Sequence, residues 1–179
     1  IIVFLCGADV MIFEIVGSRV VAPFVGASIY VWTSLIGVIL ASLSLGYYVG
    51  GYVADKRPHF KHLSYIILFS AVAIAFTALI KDIVSIIIST SNVILELKSV
   101  AISFVLFAPA SFLLGMVSPY AVRLRMNDLS KSGKTAGNLY AISTSGSIFG
   151  TFVAGFYIIP NFGSTNTLTI LSLALFLTA

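Results

Sequence analysis

Charged side chains are scarce. Lys, Arg, Asp and Glu make up 9% of the 179 residues, where a soluble domain carries about 25%. That deficit excludes an ordinary soluble domain. Cysteine occurs once, at Cys6, which excludes an internal disulfide. The alternation of a lipid-facing β-barrel is missing, so the chain must cross a bilayer as helices if it crosses at all. The two histidines, His59 and His62, have no Cys or acidic cluster at metal spacing beside them, so no metal site is expected. There is no Ser/His/Asp arrangement and no Gly-rich loop following a strand. No catalytic residue and no cofactor site are therefore expected in this chain. Ser132-Gly133-Lys134-Thr135 invites comparison with a phosphate loop. That motif needs a glycine five residues before Gly133, and Asp128 stands there.

What the chain has is apolar length. It is 59% hydrophobic with a mean hydropathy of +1.11, and it contains 14 Phe, 8 Tyr and 14 Gly. These values predict an all-α, polytopic membrane protein whose main partner is the lipid bilayer. Six transmembrane spans are expected, at about 1–22, 29–54, 63–80, 99–120, 136–159 and 165–179. Pro23, Lys81-Asp82 and Pro160 are read as stops, and Pro109 and Pro119 as kinks. Residues 83–96 fit either an extension of the third helix or a short interfacial segment. The net charge of +4 is not a nucleic-acid signal, because the basic residues cluster beside apolar runs. Lys56, Arg57, Lys61, Arg123, Arg125, Lys131 and Lys134 lie on one side, and only Lys81 and Lys98 on the other. The positive-inside rule then makes loops 55–62 and 123–135 cytoplasmic in a plasma (inner) membrane.

The first span carries Asp9, Glu14 and Arg19. Each ionisable side chain at a helix centre costs about 2.5–3.5 kcal/mol on insertion scales, so such residues tend to face a partner or a water-filled path. Steps of five residues turn a helix by about 140°, so the three do not form one stripe. Arg19 is nevertheless long enough to reach toward Glu14. A self-neutralising internal ion pair and a substrate-binding site are both open on this evidence.

Small residues recur four apart at Gly46 and Gly50 in the second span and at Gly146 and Gly150 in the fifth. Such spacing suits close helix packing. Gly46-Tyr-Tyr-Val-Gly50-Gly51 also resembles Gly150-Thr-Phe-Val-Ala154-Gly155. Because the second and fifth spans cross in opposite directions, this suggests two inverted three-helix repeats. Gly51, Asp55 and Lys56 match the G-x-x-x-D-[RK] signature between the second and third helices of the major facilitator superfamily. The later glycine of that signature is absent, since Pro58 and His59 stand there.

Three blocks carry a wider resemblance. They are EIVGSRVVAPFVGASIYVWTSLIGVILASLSLGYYVGGYVAD, LLGMVSPYAVRL and AGNLYAISTSGSIFGTFVAGFYIIP. They look like the N-terminal membrane region of fused major-facilitator/spermidine-synthase-like proteins. The resemblance implies half of a major-facilitator bundle, with a C-terminal domain resembling spermidine synthase, an aminopropyltransferase, expected beyond Ala179. None of that domain's residues are here, and Asp9 lies outside the family pattern. The function expected is a membrane module that transports a small cation such as a polyamine, with Glu14, Arg19 and Asp9 as substrate-binding candidates. The alternatives are a non-transporting anchor for the synthase-like domain and a half-transporter that works as a homodimer. The chain itself is expected to be a fragment, because Ile1 is no start residue and LSLALFLTA ends inside an apolar run.

Overall fold

The computed structural model describes residues 1–126 and 132–179. They are helical almost throughout, with no strand among them. The helices are α1 (Ile2–Val25), α2 (Ile29–Lys56), α3 (Phe60–Ser89), α4 (Leu95–Arg125), α5 (Ser132–Val153) and α6 (Ile159–Thr178). A π-helical turn, Ala154–Ile158, joins α5 to α6. Four helical runs are long and apolar enough to cross a membrane: α2, α3, α4 and the joined run Ser132–Thr178. Large side chains such as Phe69, Phe76, Leu79 and Ile87 are exposed on the outside of the bundle, as contact with lipid tails permits. Together these features mark a membrane protein.

α1 and α4 are the central helices. α2 packs along α4, α5 packs along α1, and α3 lies against α4 and α6. The core between them is built from Val16, Leu35, Ile39, Ile74, Phe107 and Leu168, all fully buried. Phe13 and Phe107 tie α1 to α4, with ring centroids 5.0 Å apart, a separation typical of favourable aromatic pairs.

The helix ends differ from the sequence expectation in three places. α3 does not stop at Lys81-Asp82 but continues to Ser89. No Pro or Gly interrupts Phe60–Ser89, and the two charges neutralise each other within the helix. Lys81 Nζ lies 2.7 and 2.8 Å from the two Asp82 carboxylate oxygens. Residues 83–89 thus extend the third helix, and α4 begins at Leu95. α1 runs through Pro23 to Val25 and ends at Gly26, whose φ of 84° suits glycine. Pro160 does not stop the fifth helix either. It sits within helical backbone, just after the π-helical turn Ala154–Ile158. The break falls at Gly163, with φ 72° and ψ 173°, a conformation that favours glycine. Of the fourth–fifth loop named as cytoplasmic, residues 127–131, including Lys131, lie outside the described residues.

Candidate functional site

Two glycine seams fix how the helices approach one another. On α2, a Cβ placed on Gly50 would fall 2.6 Å from Met116 Cα of α4. One placed on Gly46 would strike the Phe112 carbonyl, and one on Gly115 of α4 would lie 2.7 Å from the Leu43 carbonyl. Residue numbers rise together along both helices, so α2 and α4 run parallel. The second seam joins α5 to α1. A Cβ on Gly150 would fall 2.5 Å from the Ala8 carbonyl oxygen, and one on Gly146 would strike the Phe4 carbonyl. A Cβ on Gly7 would strike the Ser143 carbonyl, and the Ser147 hydroxyl donates to the Gly7 carbonyl at 3.0 Å. These helices are parallel too. In both seams the clash would be with backbone, which cannot swing aside as a flexible side chain can.

Asp9 lies next to this second seam. It is 6% exposed. The ion pairs among the described residues are Lys81–Asp82 and Arg123–Asp55, so Asp9, Glu14 and Arg19 have none there. A buried carboxylate without an ion-pair or hydrogen-bond partner is costly. Glu14 is half-buried and Arg19 is exposed. The expected meeting of Glu14 with Arg19 therefore does not occur. The five-residue step that separates them around the helix is not closed by the length of the Arg side chain. Arg19 lies six residues before the end of α1 at Val25, about 9 Å along the axis. From there its head can reach the interface while its stem covers apolar surface.

The other polar cluster lies where α2 ends. Arg123 Nε of α4 donates to Asp55 Oδ1 at 2.9 Å. Tyr120, one turn earlier on α4 and fully buried, donates its hydroxyl to the Arg57 carbonyl. The His59 N–H donates to the same hydroxyl at 3.4 Å. A Cβ on Gly51 would lie 3.9 Å from Pro119. Lys56 turns back over Tyr52, its ammonium 4.3 Å from the ring centroid and 2.5 Å from the hydroxyl. Of the Gly51, Asp55 and Lys56 signature, Asp55 is thus held by Arg123 and Gly51 lies against Pro119, while Lys56 is held within α2. Sequence reading named Arg123 only among the loop charges and did not single out Tyr120. The signal available was the block LLGMVSPYAVRL, which contains Tyr120 and Arg123.

A third polar group was also missed. Lys81 is 8% exposed and lies between Thr77 and Ser85 on successive turns of α3. Thr77 donates to the Leu106 carbonyl of α4 at 2.7 Å. Ser99 and Ser103 of α4 are fully buried, and the hydroxyls of Ser85 and Ser103 have no hydrogen-bond partner among the described residues. An interhelical hydrogen bond such as that of Thr77 binds helices together within lipid. Among the described residues no group of three or more His, Cys, Asp or Glu could hold a metal ion. Compared with protein-family models, curated proteins and solved structures, the chain matches none.

Proposed function

We propose that this chain is a six-span membrane transport module built from two inverted repeats, α1–α3 and α4–α6, like one half of a major-facilitator bundle. The observation that carries the reading is the pairing of the two glycine seams. Exchange α1 with α4 and α2 with α5, and one seam becomes the other. Gly46 and Gly50 correspond to Gly146 and Gly150, and Leu43 to Ser143. Phe112, Gly115 and Met116 correspond to Phe4, Gly7 and Ala8. The spacing is kept at every step. The sequence follows it: Phe4-Leu5-Cys6-Gly7 matches Phe112-Leu113-Leu114-Gly115. This register pairs Gly46 with Gly146, one helical turn from the Gly46–Gly150 alignment that sequence alone suggests. Inverted repeats of this kind are the common framework of alternating-access carriers.

The substrate class we assign is a small cation such as a polyamine, with Asp9 and Glu14 supplying negative charge inside an apolar helix. The reading places the basic loops in the cytoplasm of a plasma (inner) membrane and needs no cofactor within this chain. Reconstituted protein should move labelled spermidine across liposomes, and Glu14→Gln should abolish the flux. Absence of flux in the unmodified protein would overturn it. The alternative reading is a non-transporting anchor for a spermidine-synthase-like domain; two cavities described at the basic end are lined by neither Asp9 nor Glu14.

A further inference from the structure

We infer that the cleft at the basic end of the bundle binds one anionic phospholipid, with an acyl chain inside and the headgroup at Arg125. The cleft opens between the starts of α1 and α3, the end of α4 and the first turns of α5. Its volume is about 810 Å³, within the range of about 300–1,000 Å³ typical of ligand sites. Its walls are apolar, from Leu63, Leu124, Leu139 and Ile142. Phe60 on its rim is 72% exposed, so the cleft is open at its edge and a lipid chain can enter from the side.

The lining also carries polar groups. Arg125 is in the lining together with Thr135 and Asn138. One cation and two hydrogen-bonding side chains suit a phosphate-bearing headgroup. Among the described residues, the charge around the mouth is mostly positive. Lys56, Arg57, Lys61 and Lys134 are exposed at this end, and Asp55, the acid described there, is engaged by Arg123. Basic pockets between helices at a membrane surface are suited to anionic headgroups. A zwitterionic lipid would satisfy the apolar walls equally well but gain little from this charge. The inference does not depend on transport, because it uses only the cleft and its rim.

The experiment is native mass spectrometry of the full-length protein released from detergent, titrated with phosphatidylglycerol or phosphatidylcholine. The expected result is one tightly retained phosphatidylglycerol and weaker phosphatidylcholine. Arg125→Gln should weaken phosphatidylglycerol about fivefold, the effect of one surface cation on an anionic lipid, and leave phosphatidylcholine unchanged. Leu139→Trp, which fills the cleft, should weaken both lipids. Lys98→Gln, at the far end of the bundle, should change neither, and melting temperatures of all variants identify any that misfold. Equal retention of the two lipids by the unmodified protein would overturn the inference. So would loss of preference in Arg125→Gln with no effect of Leu139→Trp, since that places the lipid on the surface. Absence of retained lipid in the full-length protein would overturn it as well.

Discussion

Adding one methyl group should have opposite effects at two glycines of the same helix. Gly150 and Gly137 both lie in α5. At Gly150 the new Cβ would sit 2.5 Å from the Ala8 carbonyl oxygen and 2.7 Å from Ala8 Cα. Ordinary contact begins near 3.4 Å, so α1 and α5 would have to separate by almost an ångström at their crossing. The obstacle is backbone, so no rotamer change relieves it. Overpacking of this kind costs about 1–3 kcal/mol. At Gly137 nothing lies within 4 Å of the new Cβ. There the substitution only improves helix propensity, a gain of about 0.5–1 kcal/mol. Gly150→Ala should therefore lower the thermal unfolding midpoint in detergent, and Gly137→Ala should raise it slightly. Gly50→Ala, in the other seam, should resemble Gly150→Ala, with Met116 Cα at 2.6 Å. If Gly150→Ala were as stable as Gly137→Ala, close backbone approach at this crossing would be refuted.

Three further outcomes follow from the same geometry. Tyr120→Phe removes the hydroxyl shared by Arg57 and His59, so it should cost about 0.5–1.5 kcal/mol; amide exchange at His59 should speed up while that of α6 stays unchanged. In the Asp55–Arg123 pair Asp55 is exposed and Arg123 partly so, so a double-mutant cycle with Asp55→Asn and Arg123→Gln should return about 0.2–1 kcal/mol; several kcal/mol would mean a desolvated pair. Single cysteines introduced at Lys61 and Lys134, with Cys6 replaced, should react in intact cells only with permeant reagents, whereas one at Ser164 should react with impermeant ones; the reverse pattern would invert the proposed topology.

The helical, lipid-facing character of the chain was legible because it depends on composition, and composition survives any error of register. Helix ends were less legible. Lys81-Asp82 looks like a polar stop, yet the two charges form their own pair and the helix continues. Pro160 looks like a breaker, but Gly163 supplies the positive φ at which the chain turns. Sequence offered both residues three apart, and only the backbone decides between them. Contacts distant in sequence were not legible at all. Nothing local to Asp55 indicates Arg123, and nothing local to Tyr120 indicates the loop it holds. The glycine pairs were visible as small-residue spacing, but the spacing alone did not name the partner helix. Gly7, which completes one seam from the other side, has no small residue four away, and Gly115 has only Ser111, so neither was singled out.

The charges of α1 provide the sharpest remaining test, because pairing and substrate binding predict different couplings. If Glu14 and Arg19 formed a buried ion pair, removing either would leave the other uncompensated, at about 3–5 kcal/mol. The double substitution would then recover most of that loss. The structure leaves them apart, with Arg19 exposed and Glu14 half-buried. Glu14→Gln and Arg19→Gln should therefore be additive in thermal stability, within about 0.5 kcal/mol. Asp9 should behave differently from both. It is buried without a salt-bridge partner among the described residues, so Asp9→Asn keeps the shape and removes a carboxyl whose ionised form is costly there, and it should stabilise the fold. A residue retained at a cost to stability is expected to repay that cost in function, so the same substitution should impair cation flux if the module transports. Stabilisation without any effect on flux would remove Asp9 from the proposed site. Strong coupling between Glu14 and Arg19 would show that they meet in the membrane, and Glu14 would then be a structural partner rather than a ligand for the cation.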